Sequence, residues 1–305
     1  MNASIALFVY NRPEHTRRAV SSLLANPRAA DSELFVFCDG AKTAAAQPMV
    51  EQTRAFVRGI SGFRAVTVVE RERNFGLANS IIDGVTRICE ERGQVIVLED
   101  DLVLSPYFLD YMNEGLTLYA EVPQVASIHG YTYPVDCLLP EIYFMRGADC
   151  WGWATWARAW RVFEPDAGKL LGELRNSGQL DDFDFGGAAG FIEMLENFIA
   201  GKNDSWAVRW HAAAYLHGMM TLYPGRSLVR NIGVDGSGTH SGDVDVFESS
   251  LTDRPIVLGA TEVVESAKAH AAFARYFQSL HPTLGQRISR RLRRALGLRP
   301  VASSR

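Results

Sequence analysis

At 305 residues, 47% hydrophobic and 22% charged, the chain has the composition of a globular protein with one large core or two modest ones, which excludes disordered and fibrous classes. No apolar run approaches bilayer-spanning length, and Met1 to Tyr10 lacks a basic stretch ahead of its short apolar run, so the cytosol is the expected compartment. The net charge of −4 is uneven: Thr283 to Arg305 holds seven arginines and no acid, against 24 basic and 35 acidic residues elsewhere, and so acidic a body argues against nucleic-acid binding.

Ser4 to Tyr10 reads as a first strand, punctuated by Asn11-Arg12-Pro13 before a helix from about Glu14 to Leu24 with Val20, Leu23 and Leu24 on one face. Glu33 to Cys38 is a second strand, ending in Asp39-Gly40. A helix around Met49 to Arg58 and a strand at Ala65 to Val69 follow, and this rhythm specifies βαβ units around a mainly parallel sheet. Arg73-Asn74-Phe75-Gly76-Leu77-Ala78 leads into a helix reaching about Arg92, with Ile81, Ile82, Val85 and Ile88 as its apolar face.

The chain is organised around the next stretch, Val95 to Ser105. Four apolar residues read as a doubly buried strand, and Glu99-Asp100-Asp101 follow where a parallel sheet opens to ligands. Clustered carboxylates resist desolvation unless a cation joins them, and oxygen ligands of this kind suit Mg2+ or Mn2+ with a phosphate-bearing substrate. Ser105-Pro106 reads as an N-cap and N1 pair opening a helix to Tyr119.

Val125 to His129 is a further strand, after which the rhythm breaks. Trp153, Trp156 and Trp160 are spaced as a helical core stripe, whereas Trp151 falls outside it and is the tryptophan expected to face a ligand. Asp166 to Phe185 is polar and weakly patterned, as in a mobile loop. Helices are expected around Gly190 to Ile199 and Ser205 to His217. A short strand then opens into a loop with four glycines between Gly233 and Gly242, carrying Asp235 and His240; it is either a plain surface turn or a lid bringing the histidine to a metal. Cys38 and Cys89 read as small core residues, and Cys137 with Cys150 as a reduced pair. In the tail, Leu284, Ile288, Leu292 and Leu296 recur every four residues among arginines. That pattern fits a basic amphipathic helix on an anionic membrane surface, or one docked on the body with its arginines solvated.

The ordered set of Asn-Arg-Pro after the first strand, Asp-Gly after the second, Arg-Asn-x-Gly-Leu-Ala, and Val-Leu-Glu-Asp-Asp-Leu with Ser-Pro-x-Phe behind it resembles GT-A glycosyltransferases of the family 2-like group. The Glu-Asp-Asp-Leu context is especially similar to N-acetylglucosaminyltransferase I. The resemblance implies an α/β fold, with a mainly parallel sheet flanked by helices. It divides the chain into a nucleotide-sugar-binding half over 1–130, an acceptor-side half of the same domain over 131–258 and a C-terminal helical tail over 259–305. It also implies a hexosyl- or N-acetylhexosaminyltransferase that is metal-dependent, takes a nucleotide-sugar donor and serves a saccharide or lipid-linked acceptor in bacterial surface glycan synthesis.

By the same resemblance Asp101 ligates a divalent metal and Asp100 holds the ribose or assists the metal. Arg12 grips the diphosphate, Asp39 the nucleobase, where it suits a uracil imide and so UDP, and Asn74 and Gly76 shape the donor pocket. His240 is a late metal or phosphate contact. An inverting displacement also needs a carboxylate base. The Trp-Asp pair of related sequences is here Trp206-Ala207, so Asp204 becomes the first choice, ahead of Asp149 and Asp235, with an N-cap as its alternative role. A nucleotidyltransferase would need a glycine-rich loop where Tyr10 to Pro13 stands, no Walker or dinucleotide fingerprint occurs, and a non-catalytic carbohydrate-binding protein would have little use for three adjacent acids.

Overall fold

The computed structural model describes residues 2–233, 246–259 and 261–280. The chain begins with β1 (Ser4–Val9), α1 (Pro13–Leu24), β2 (Glu33–Cys38), α2 (Gln47–Val57), β3 (Ala65–Glu70), α3 (Leu77–Arg92) and β4 (Gln94–Glu99). β5 (Leu102–Leu104), α4 (Phe108–Leu118), β6 (Val125–His129), β7 (Ile142–Arg146), β8 (Trp153–Trp156) and α5 (Ala157–Trp160) follow. The remainder is α6 (Ala167–Ser177), α7 (Leu180–Phe183), α8 (Phe191–Ile199), α9 (Trp206–Leu216), β9 (Met220–Pro224), β10 (Val229–Asn231) and α10 (Ala267–Leu280).

Eight strands form one sheet in the order β3-β2-β1-β4-β8-β6-β9-β7, and β10 pairs with β5 in a separate two-stranded ribbon. β1 to β4 are mutually parallel, while β8 runs antiparallel to both its neighbours, β4 and β6. This is the α/β architecture that the motif order implies. β1 is buried along its whole length, as are the four apolar positions of β4, which is why both read as continuous apolar runs. Val20 and Leu23 of α1 pack into the same core. Leu24, expected beside them, is 40% exposed, since one residue beyond Leu23 it is turned about 100° from the buried face.

Four expectations are corrected. Trp153 and Trp156 lie on a strand: Trp153 stacks on Trp206 at 5.5 Å, while Trp156 faces α4, its indole donating to the Leu116 carbonyl. The tryptophans are core, but three apart on a strand they occupy opposite faces. The stretch expected as a mobile loop contains α6 and α7. Asp166 caps α6 by accepting from the Gly168 and Lys169 N–H groups, and Leu170, Leu171 and Leu174 are buried. The helix expected from Ser105 begins at Phe108; the buried Ser105 hydroxyl donates to the Thr252 carbonyl at 2.9 Å and accepts from the Tyr107 N–H at 3.4 Å, ahead of the helix proper. β7 and β9, neither of which the sequence pattern announced, extend the sheet beyond β6.

All four cysteines are free, and burial pushes the Cys38 and Cys89 thiols up to about 12, consistent with inert core positions. Among the described residues no helix is long and apolar enough to cross a membrane. The amphipathic tail from Leu284 onward lies outside the described residues.

Candidate active site

The acids leave the sheet where β4 ends. Glu99 is level with Phe8 of β1, and the next two residues turn toward the loop between β1 and α1. The Tyr10 N–H donates to Asp100 Oδ2 at 3.3 Å, and Arg12 Nη1 donates to Asp101 Oδ2 at 3.1 Å, in an ion pair whose side chains are 14% and 19% exposed. Burial pushes all three carboxyls up. Glu99 stands well above the usual carboxylate range, raised further by Asp101 and Asp100, and Asp100 is pushed up to about 7, with Asp101 adding to the burial effect. Asp101 is also raised by burial, against the opposing pull of Arg12. A single guanidinium therefore does not balance the negative charge that the sheet end gathers.

The ribbon completes this corner. β10 pairs antiparallel with β5, Asn231 opposite Leu102, and the Ile232 N–H donates to the Asp101 carbonyl at 2.8 Å. Gly233 is thereby laid against the acid: a Cβ there would stand 2.3 Å from Asp101 Oδ2 and 3.1 Å from Arg12 Nη1. Only a residue without a side chain can approach Asp101 so closely. The three acids do not converge on one point. Among the described residues the only three-residue set with ligand atoms within 4.8 Å of one another is Asp182, Glu265 and His270, which lies elsewhere. Asp101, held by Arg12, is one described carboxylate at the corner. This donor set fits Mg2+ or Mn2+, which bind through one or two carboxylates and take their remaining ligands from substrate phosphates and water.

Asp39 ends β2 and is buried, with both its oxygens engaged. Oδ1 accepts from the Gly40 and Phe75 N–H groups at 2.8 and 2.7 Å, and Oδ2 from Asn74 Nδ2 and the Gly76 N–H, both at 2.9 Å. Asn74 also donates to the Gly40 carbonyl. Asp39, Asn74 and Gly76 therefore form one unit, in which the carboxylate fixes the loop. Gly40 permits the approach, because a Cβ there would sit 2.4 Å from the Arg73 carbonyl carbon.

On the opposite side, α9 starts beside this loop. Its N-cap is Ser205, whose hydroxyl accepts from the Val208 N–H, so the capping role considered for Asp204 is filled by its neighbour. Asp204 is exposed, accepts no hydrogen bond from the described residues, and has Oδ2 3.9 Å from where a Gly76 Cβ would be. Asp149 is engaged instead: Tyr133 and Tyr223 donate their hydroxyls to Oδ2 at 2.9 and 3.3 Å, and the Cys150 N–H donates to Oδ1 at 2.7 Å. The Trp151 N–H donates to His129 Nε2, and its ring meets Tyr131 and Phe247 edge to face. Since Val97 of β4 is level with Trp153 of β8, two residues further Trp151 reaches the level of Glu99. The Cys150 thiol registers the same proximity, held well up by burial and then by Asp149, Glu99 and Asp101.

Residues 4–122 match the family model of Glycosyl transferase family 2. The matched segment runs from β1 to just past α4 and contains Arg12, Asp39, Asn74, Gly76, Asp100 and Asp101, so this part of the chain is similar to glycosyl transferase family 2. No curated protein matches the chain. Among solved structures, TarS of S. aureus is similar at 13% identity over 49% of this chain and 25% of its own, with a TM-score of 0.31. Its 1–349 form is similar at 12% over 52% and 47%, with a TM-score of 0.32. Mannosyltransferase PcManGT from Pyrobaculum calidifontis, solved with GDP-Man and Mn2+, is similar at 16% over 44% and 37%, with a TM-score of 0.31. The chain overlaps between a quarter and a half of the length of each of these.

The wall around Asp149 lies beyond the family match, and of its residues only Asp149 and Trp151 were singled out by sequence. Tyr133, Tyr223, His129 and His211 were missed. His129 carried a usable signal, because it ends a strand that the pattern did identify, at the edge where ligands bind. Asp235 and His240 lie outside the described residues.

Proposed function

We propose that this protein is a metal-dependent, inverting glycosyltransferase that moves a sugar from a nucleoside diphosphate donor, UDP-linked in preference, to an acceptor hydroxyl in bacterial surface glycan synthesis. The observation that carries the reading is Asp101, paired with Arg12 just past the end of β4 and approached by Gly233 more closely than any side chain would allow. Arg12 is suited to the charge of the diphosphate, and Asp101, with His240 as a further candidate, to holding Mn2+ or Mg2+. When bound, such a cation stabilises the negative charge that develops on the departing nucleoside diphosphate.

The loop fixed by Asp39 shapes the donor pocket through its backbone, Asn74 and Gly76, while Asp100 lies on the ribose side. Asp39, with four hydrogen bonds already accepted, serves the base pocket by holding this loop rather than by contacting the base itself. Asp204, uncommitted and beside Gly76, is the base that takes the proton from the attacking hydroxyl, with Asp149 and Asp235 behind it. A donor screen with Mn2+, following nucleoside diphosphate release with and without candidate acceptors, tests the reading. Release from no donor by folded protein would overturn it.

We propose further that the arginine-rich tail from Leu284 brings the enzyme reversibly to an anionic membrane, where a lipid-linked acceptor would be met. Each arginine near such a surface contributes about 1 kcal/mol.

A further inference from the structure

The last strand of the sheet, β7, is met on its outer side by the residues that lead into α10. Glu265 bridges Phe144 in parallel, the Ser266 N–H donates to the Phe144 carbonyl at 2.9 Å, and the Arg146 N–H donates to Glu265 Oε1 at 3.0 Å. Glu265 is thereby fixed at the sheet edge, just ahead of His270 near the start of α10. From the other side α7 brings Asp182. Its Oδ2 accepts the Tyr215 hydroxyl of α9, and its Oδ1 lies 3.5 Å from His270 Nε2. The His270 ring is held in turn, stacked on Phe185 with centroids 4.7 Å apart. One ligand atom from each of Asp182, Glu265 and His270 lies within 4.8 Å of the other two.

Three segments distant in the chain thus turn two carboxylates and an imidazole toward one point, and each is oriented by a group outside the set: Tyr215, the Arg146 N–H and Phe185. Metal ligands are held in this manner, by partners that fix their orientation from behind. Nothing else balances the charge. Among the described residues neither carboxylate forms an ion pair with a lysine or arginine, since the Arg146 guanidinium is turned to the Tyr215 carbonyl and ring. Burial pushes the Tyr215 hydroxyl up, as do its hydrogen bond to Asp182 and the charges of Asp182 and Glu265, against Arg146, so it stays a neutral donor.

The donor set also discriminates among ions. Mg2+ and Ca2+ take oxygen ligands, whereas an imidazole beside carboxylates suits Zn2+, whose tetrahedral ligands at about 2.0 to 2.2 Å stand about 3.3 Å from one another. The spacing of Asp182 and His270 already meets that figure, and Glu265 can close on them by side-chain rotation. Asp182 is exposed while Glu265 and His270 are half-buried, so an ion has a path from solvent and keeps water as its fourth ligand.

We propose that Asp182, Glu265 and His270 form a zinc site that pins α10 to α7 and to the sheet edge. The site does not depend on the transferase reading, since none of the three residues belongs to the acid corner or to the segment matched by the family model. Its test uses the full-length protein, stripped with EDTA and returned to excess Mg2+, which suits the acid corner and not a set containing imidazole. Zn2+ titrated into this sample should bind one to one by calorimetry and raise Tm by several degrees, because an ion that binds only the folded chain stabilises it. Ca2+ at the same concentration should do neither. His270→Gln and Asp182→Asn should each weaken Zn2+ at least about tenfold. Their side chains are 28% and 52% exposed, and either variant alone carries the test should the other fail to fold. Absence of saturable Zn2+ binding, or binding that a folded variant retains at wild-type strength, overturns the proposal and leaves Asp182 and His270 as an ion pair only. Equal stabilisation by Ca2+ would overturn it too, since the imidazole would then play no part.

Discussion

Replacing Asp101 with alanine should separate stability from catalysis. The Arg12–Asp101 pair is only 14% and 19% exposed, so its loss lies between the 0 to 1 kcal/mol of a solvated pair and the 3 to 5 kcal/mol of a fully buried one, about 1 to 3 kcal/mol. An opposite effect offsets part of this. Asp101 raises both Glu99 and Asp100 by like-charge repulsion, and its removal relieves the two while leaving them to face Arg12. The net destabilisation should stay below about 2 kcal/mol, a shift of a few degrees in Tm. Transfer should fall by at least about a hundredfold, the range seen when one electrostatic contact to a developing charge is removed.

Thermal unfolding, Mn2+ titration and nucleoside diphosphate release on the same preparation measure the three quantities. Near-wild-type turnover by folded Asp101→Ala, or full activity of the wild type in excess EDTA, would refute the assignment.

Asp204→Asn should lower turnover at least about a hundredfold with donor affinity little changed, because a base acts in the transition state; the same pattern in Asp149→Asn but not in Asp204→Asn would move the role. Gly233→Ala, whose methyl would stand 2.3 Å from Asp101 Oδ2, should weaken Mn2+ binding at least about tenfold and destabilise by about 1 to 3 kcal/mol, whereas unchanged Mn2+ affinity would show that this face of the carboxylate is not used. Burial lowers the His211 pKa from 6.5, so below that pH the unfolded chain binds a proton that the folded chain does not. Wild type should then lose up to about 1.4 kcal/mol per pH unit relative to His211→Gln as pH falls from 6.5, and parallel stability curves for the two would contradict this. Deleting Leu284 to Arg305 should release the protein from anionic liposomes and leave turnover on a soluble acceptor near wild type; full-length protein that ignores such liposomes at low salt would end the membrane proposal.

The parallel half of the fold was legible because β1, β2 and β4 are buried runs and its strands are joined by periodic helices, even though β3 at the edge is half-exposed. Glu33 to Cys38 and Val125 to His129 were read with the bounds they have in the structure. The later half was not, since its strands are short and antiparallel and their residues serve two faces. Trp153 and Trp156 satisfy helical spacing as well as they satisfy a strand, and what decides between them is pairing to Val97 and Gln94, a tertiary fact. Leu170, Leu171 and Leu174 did carry a helical signal, masked by the surrounding acids and glycines.

For the site, residue type was readable and residue commitment was not. Five aspartates were candidates among the described residues, and backbone geometry sorts them. Asp39 is occupied by the loop it holds, Asp149 by two tyrosines and an amide, and Asp100 faces the Tyr10 N–H from a buried position. The two that remain differ in setting. Asp101 is held by a guanidinium and closely approached by Gly233, whereas Asp204 is solvated and accepts no hydrogen bond from the described residues, the settings that the proposed metal-ligand and base roles would use. The element that makes this division is the three-residue ribbon of β5 and β10, since the Ile232 to Asp101 hydrogen bond, with the Gly233 N–H donating to Asn231, lays Gly233 against the carboxylate. So short a ribbon has no periodicity to read, and its register is set by the two chain segments meeting rather than by either alone. A sequence can therefore name the acids of such a site well before it can say which of them are left to act.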